Sequence, residues 1–144
     1  MAITSAICTS FKVELLKGVH DFTNGTGDTF NIALYAGATA SLGAGTTAYT
    51  TTGEVSGTGY SAKGQALSSV TPTSTGTTAV CDFADETFAT ATITASGCLI
   101  FNDTEAGDPA VAAISFGGAK TSTAGDFTIV FPSPTATGAI IRLA

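Results

Sequence analysis

The groups in this chain that could do chemistry are few: eleven acidic residues, five basic ones and a single histidine in 144 positions. The acids gather in two places. Asp82, Asp85 and Glu86 lie in CDFADE, and Asp103, Glu105 and Asp108 in NDTEAGD. Calcium takes about six to eight oxygen ligands, and alternating acids beside a glycine can supply several. Asp103, Glu105 and Asp108 are therefore the candidate calcium ligands, although the distal bidentate Glu of a full calcium loop is missing. The competing reading is that they form Asx-type turns and carry solvated charge. His20 follows a helix end in GVHDF. A general base needs a nucleophile within about 3 Å, and no G-x-S-x-G motif supplies one. An imidazole at that place is expected to meet free helix carbonyls instead.

The stretch YTTTGEVSGTGY (49–60) is rich in glycine. A phosphate-binding loop requires a strand feeding a helix, with a lysine directly after the last glycine. Lys63 comes four residues after Gly59, and Gly64 interrupts any helix there. The stretch reads as a loop and strand. Without a convergent site the chain is not expected to be an enzyme or to need a cofactor. The absence of Trp and the presence of only three Tyr also weaken a sugar-binding reading.

Composition narrows the class. Hydrophobic residues make up 44% and charged residues 11%, against about 25% charged in ordinary soluble domains. Thr, Ser, Gly and Ala must cover the surface. Lys12, Lys17, Lys63, Lys120 and Arg142 are scattered, so no basic stripe is present to neutralise phosphates, and nucleic acid is not an expected partner. No apolar run is long enough for a membrane helix, and the first residues do not resemble a secretion signal. Cys8, Cys81 and Cys98 are an odd set without a C-x-x-C pair, which suits buried thiols better than zinc or disulfides. Asn24-Gly25-Thr26 and Asn102-Asp103-Thr104 match the glycosylation sequon.

The elements that position these groups are mostly strands. A short helix is expected over about 9–18, with Phe11, Leu15 and Val19 on one face, Thr9 or Ser10 as its cap, Glu14 and Lys17 paired on the surface and Gly18 closing it. From Asp28 the period becomes two. TFNIALYAG reads as a half-buried strand, with Phe30, Ile32 and Leu34 on one side. TTAVCDF (77–83), FATATITAS (88–96), AVAAISF (110–116), DFTIVFP (126–132) and AIIRLA (139–144) alternate in the same way. CLIF (98–101) is apolar throughout and belongs in mid-sheet. Turns are expected at Ser96-Gly97, Ala106-Gly107-Asp108-Pro109, Gly117-Gly118 and Ala124-Gly125-Asp126. Pro72, in SSVTPTSTGTTA (68–79), marks an edge or turn. The expected fold is mainly β: a single domain over 1–144, an antiparallel β-sandwich or jelly-roll-like barrel with a short N-terminal α-helix.

Three long words carry a resemblance: SFKVELLKGVHDF (10–22), GDTFNIALYAGATASLGAGTTAYTTTGEVSGTGYSAKGQAL (27–67) and DFTIVFPSPTATGAIIRLA (126–144). In this order they resemble a family of small virion structural proteins of tailed bacteriophages. The resemblance spans nearly the whole chain and implies a capsid decoration, or cement, protein made in the host cytoplasm and located in the virion. The implied partners are the major capsid protein and further copies of the chain, a trimer being the natural closed ring. A tail or head–tail junction protein and an adhesin or receptor-binding domain are the alternatives. The resemblance brings no catalytic residues. Contacts are expected from the helix (Phe11, Leu15), from Tyr49 and Tyr60 in the 36–60 region, from 68–78, and from Ile141 and Leu143 on a terminal strand able to pair with a neighbour.

Overall fold

A computed structural model describes residues 2–144, the side chain of Val70 left aside. In chain order the elements are β1 (Ala6–Ile7), α1 (Thr9–Leu16), β2 (Phe30–Tyr35), β3 (Gln65–Ala66), β4 (Ser69–Thr75), β5 (Thr78–Phe83), β6 (Glu86–Asn102), β7 (Ala110–Ile129) and β8 (Ile141–Leu143). They form two antiparallel sheets, of five strands in the order β1-β7-β6-β2-β3 and three in the order β4-β5-β8. The protein is mainly β and sandwich-like, with one short helix and no closed barrel.

Aromatic packing joins the layers. Phe22 stacks on Phe30 of β2 at 4.1 Å between ring centroids, and both lie within 6.2 Å of Phe83 in β5. Phe83 in turn meets Phe131 at 5.7 Å. Offset aromatic contacts of this kind add about 0.5–1.5 kcal/mol each beyond the area they bury. CLIF lies in mid-sheet as its composition implies: all four residues are fully buried on β6, between β7 and β2.

Several expectations need correction. β2 is buried at all six positions, not at alternate ones. Its second face is covered by the 36–60 segment, so Tyr35 is as enclosed as Leu34. Four expected short strands are two long ones. Ser96-Gly97 runs straight through β6, and its glycine serves close packing rather than a turn, since a side chain at 97 would collide with Ile3 and the carbonyl of Ile114. Gly117-Gly118 and Ala124-Gly125-Asp126 sit inside β7, where the pairing with β6 shifts between Ala95 and Gly97 and again on both sides of Ala91. Their turn chemistry is used for bulges, which bend a strand without ending it. The expected turn at 106–109 is real and closes the β6–β7 hairpin, and Pro72 falls at a register shift on edge strand β4.

The helix is eight residues long, with Gly18 left-handed just beyond it at φ 72°. Its N-cap is Cys8 rather than Thr9 or Ser10, and no side chain bonds the first turn. The Phe11–Leu15–Val19 stripe does face inward, Phe11 completely and the other two in part.

Candidate functional site

Where β2 loses its short partner β3, its open edge continues past Ile32. A strand edge buried without hydrogen-bond partners is costly. The 50–60 loop supplies the partners. Val55 N–H donates to Leu34 O at 2.9 Å, Ala36 N–H to Gly53 O at 2.9 Å, and Leu34 N–H to the Tyr60 hydroxyl at 2.9 Å. Glu54 locks this loop in place. Its Oε1 accepts from the Tyr60 hydroxyl and from the Lys63 backbone N–H, both at 2.8 Å, and its Oε2 from the Tyr49 hydroxyl at 2.5 Å. Tyr35 closes the other side, its hydroxyl donating to Thr50 O at 2.7 Å. The Glu54 carboxylate and burial together hold the Tyr49 phenol up at about 12, with burial the larger cause.

Lys63 extends the clasp to the β6–β7 hairpin. Its ammonium lies 2.8 Å from Asp103 and 2.9 Å from Asp108, beside the rings of Tyr49 and Phe101. These two carboxylates raise its pKa, Asp103 foremost. The backbone conformation that aims the lysine is left-handed at both Lys63 and Gly64, and Gly64 packs so tightly on β2 that a Cβ would fall on the Ile32 carbonyl. The glycine-rich stretch is thus a structural brace. Two of the three candidate calcium ligands face an ammonium, and Glu105 is only half-buried beside them. No group of three or more His, Cys, Asp or Glu that could hold a metal ion occurs among the described residues.

His20 has a similar structural setting. Its ring lies 5.0 Å from Phe11, Nε2 lies 3.0 Å from Glu14 Oε2, and Nδ1 lies 3.1 Å from Asn102 Nδ2. Asn102 Oδ1 already accepts from the N–H groups of Thr104 and Glu105, which fixes the amide. Its NH2 group must then donate, to Asp28 Oδ2 at 2.7 Å and to His20 Nδ1. The imidazole therefore accepts at Nδ1 and carries its proton on Nε2, toward Glu14. This corrects two expectations: His20 meets no helix carbonyl, and Glu14 pairs with it rather than with Lys17. Buried Asn102 is equally unsuited to carry a glycan in the folded chain.

The other acidic cluster is dispersed. Asp82 is fully buried in β5, bonded by the N–H groups of Phe83 (2.8 Å) and Ile140 (3.4 Å). Burial raises its pKa, against the pull of those two N–H groups. Asp85 instead accepts from Phe131 N–H at 2.8 Å, on the approach to β8.

Of the residues expected to meet a partner, Phe11 and Ile141 belong to the core, Leu15 is half-buried, and Tyr49 and Tyr60 hold Glu54. Leu143, 57% exposed, is the one that faces outward. A different surface is more open. From Phe116 to Ile129 β7 pairs with β6 on one side and, among the described residues, with no strand on the other. A largely apolar cleft of about 530 Å³ opens along this edge, lined by Ile114, Phe116, Ile129, Val130 and Ile140 among others. Sequence reasoning broke this strand into pieces and so missed its length. Comparison with protein-family models, with curated proteins and with solved structures finds no match.

Proposed function

We propose that this protein is a structural component of a tailed-phage virion, a decoration protein that strengthens the head by bridging capsid subunits without covalent chemistry. The observation that carries the reading is the division of its surface. The chemically able side chains, Glu54, Lys63, Asp103, Asp108 and His20, are committed to each other and to the chain's own backbone. What remains for a partner is largely uncharged Thr, Ser and Ala with a few scattered charges such as Lys12, Lys17 and Lys120, the exposed side chains of Val13, Leu16 and Leu143, and the long open edge of β7 with its apolar cleft. Such a surface suits close packing rather than turnover. The resemblance of residues 10–22, 27–67 and 126–144 to phage virion proteins points the same way.

A cement protein acts by area and repetition. A standard interface buries about 1,600 Å² in total, and many symmetry-related copies multiply a modest free energy per contact. The major capsid protein is the proposed partner. The experiment is quantitative mass spectrometry of intact particles, followed by separated heads and tails. Tens to hundreds of copies in the head fraction support the reading. About six or twelve copies in the tail fraction would replace it with a neck or tail role, and absence from particles would end it.

A further inference from the structure

An unpaired strand edge is a template for another strand, and proteins usually guard it with charges, proline, bulges or very short strands. The outer edge of β7 has the bulges at Gly117-Gly118 and Ala124 and two charges, but it is long and holds no proline. It runs from Phe116 to Ile129 with Lys120 and Asp126 as its only charges, and the first proline is Pro132. Among the described residues, 118–130 make no backbone–backbone hydrogen bond outside their pairing with β6, and the Ala124 N–H donates to Thr92 Oγ1 of that same strand. Lys120 is exposed and forms no ion pair among the described residues. Asp126 uses Oδ1 to accept from Thr90 N–H at 3.2 Å. Val130 is 74% exposed at the lip of the apolar cleft.

We propose that this edge of β7 pairs antiparallel with the same edge of a second copy of the chain, about a twofold axis near Thr123. The edge is self-complementary, as an interface between identical patches requires. Lys120 and Asp126 stand three residues either side of Thr123. Antiparallel pairing there brings each copy's ammonium toward the other's carboxylate, and leaves the apolar residues that line the cleft, Phe116 and Val130 among them, at the ends of the contact. Centring the pair on Lys120 or on Asp126 would instead set like charges together. The bulge at Ala124, with φ 47°, adds a residue near the axis, and the long lysine stem spans that offset. Each copy would cover part of the other's cleft. The pairing makes the smallest assembly a twofold dimer in place of the expected trimer, and it does not depend on the virion reading.

The test is sedimentation equilibrium of the full chain over a range of concentrations. The wild type is expected at twice the 14.2 kDa chain mass. Lys120→Glu alone and Asp126→Lys alone should each weaken the dimer tenfold or more, since each places like charges opposite one another. An equal mixture of the two variants should restore it, because a mixed pair matches charge at both contacts. Val130→Lys tests the apolar end without touching the fold, since that side chain is largely in water, and should also give monomer. A wild type that stays monomeric, a dimer indifferent to Lys120→Glu and Val130→Lys, or folded variants that fail to re-form a pair when mixed would each overturn the proposal.

Discussion

Removing the carboxylate of Glu54 should loosen the whole 50–63 brace. In Glu54→Ala the Tyr49 hydroxyl, the Tyr60 hydroxyl and the Lys63 N–H all lose their acceptor. Hydrogen bonds to a charged group contribute about 1.5–3 kcal/mol each. The site is only partly buried, so water replaces some of that, and the three losses are not independent. A total of about 3–5 kcal/mol follows. Unfolding in urea, monitored by circular dichroism, measures it directly. At roughly 2–4 °C per kcal/mol for a chain of this size, the melting temperature should fall by about 10 °C. Glu54→Gln should cost less, since its remaining oxygen still accepts from Tyr60 and Lys63 and the Tyr49 hydroxyl can turn to accept. Tyr60→Phe should cost more than Tyr49→Phe, because it also strands the N–H of fully buried Leu34. A Glu54→Ala protein within about 1 kcal/mol of wild type, or the reverse order of the two tyrosine variants, would refute the brace.

Other consequences are equally direct. Gly64→Ala forces a side chain onto the Ile32 carbonyl in a left-handed conformation, and soluble expression should be lost or the urea midpoint fall sharply; a near-native midpoint would contradict the packing. Asp82 has a folded pKa raised above its ordinary value of 3.8. Its contribution is therefore complete below that pH and is lost as pH rises through the folded value, so wild type should lose stability relative to Asp82→Asn over that interval, as urea titrations at several pH values would reveal. Burial raises the thiols of Cys8 to about 11 and of Cys81 and Cys98 to about 12. They should resist a thiol reagent at pH 8 until the chain is unfolded, and rapid labelling of the native protein would count against their burial.

Much of the architecture was legible because alternation reports a sheet face directly. The unbroken apolar run 98–101, the edge position of Pro72, the 106–109 turn residues and the helix with its glycine stop were readable from equally local chemistry. The failures have a common cause: local turn chemistry does not say whether a chain reverses or only bulges. Gly97 and Gly117-Gly118 look alike in sequence, yet pairing with the neighbouring strand carries the chain through both. Burial of both faces of β2 depended on a loop more than a dozen residues away, which periodicity cannot register. The brace did leave a signal. Glu54 is the only charge between Asp28 and Lys63 and lies between two of the three tyrosines. An isolated acid in so neutral a stretch calls for buried donors, and the hydroxyls of Tyr49 and Tyr60 are those donors. The open edge of β7 left none, since its length emerges only once the bulges are recognised as bulges.

The most direct test of the proposed role is to add purified protein to phage heads that lack it, pellet the heads, count bound copies and follow thermal rupture. The account predicts saturable binding at a multiple of the shell's local symmetry and a higher rupture temperature. Heads that bind none of it, or bind it with no change in rupture, would contradict the account.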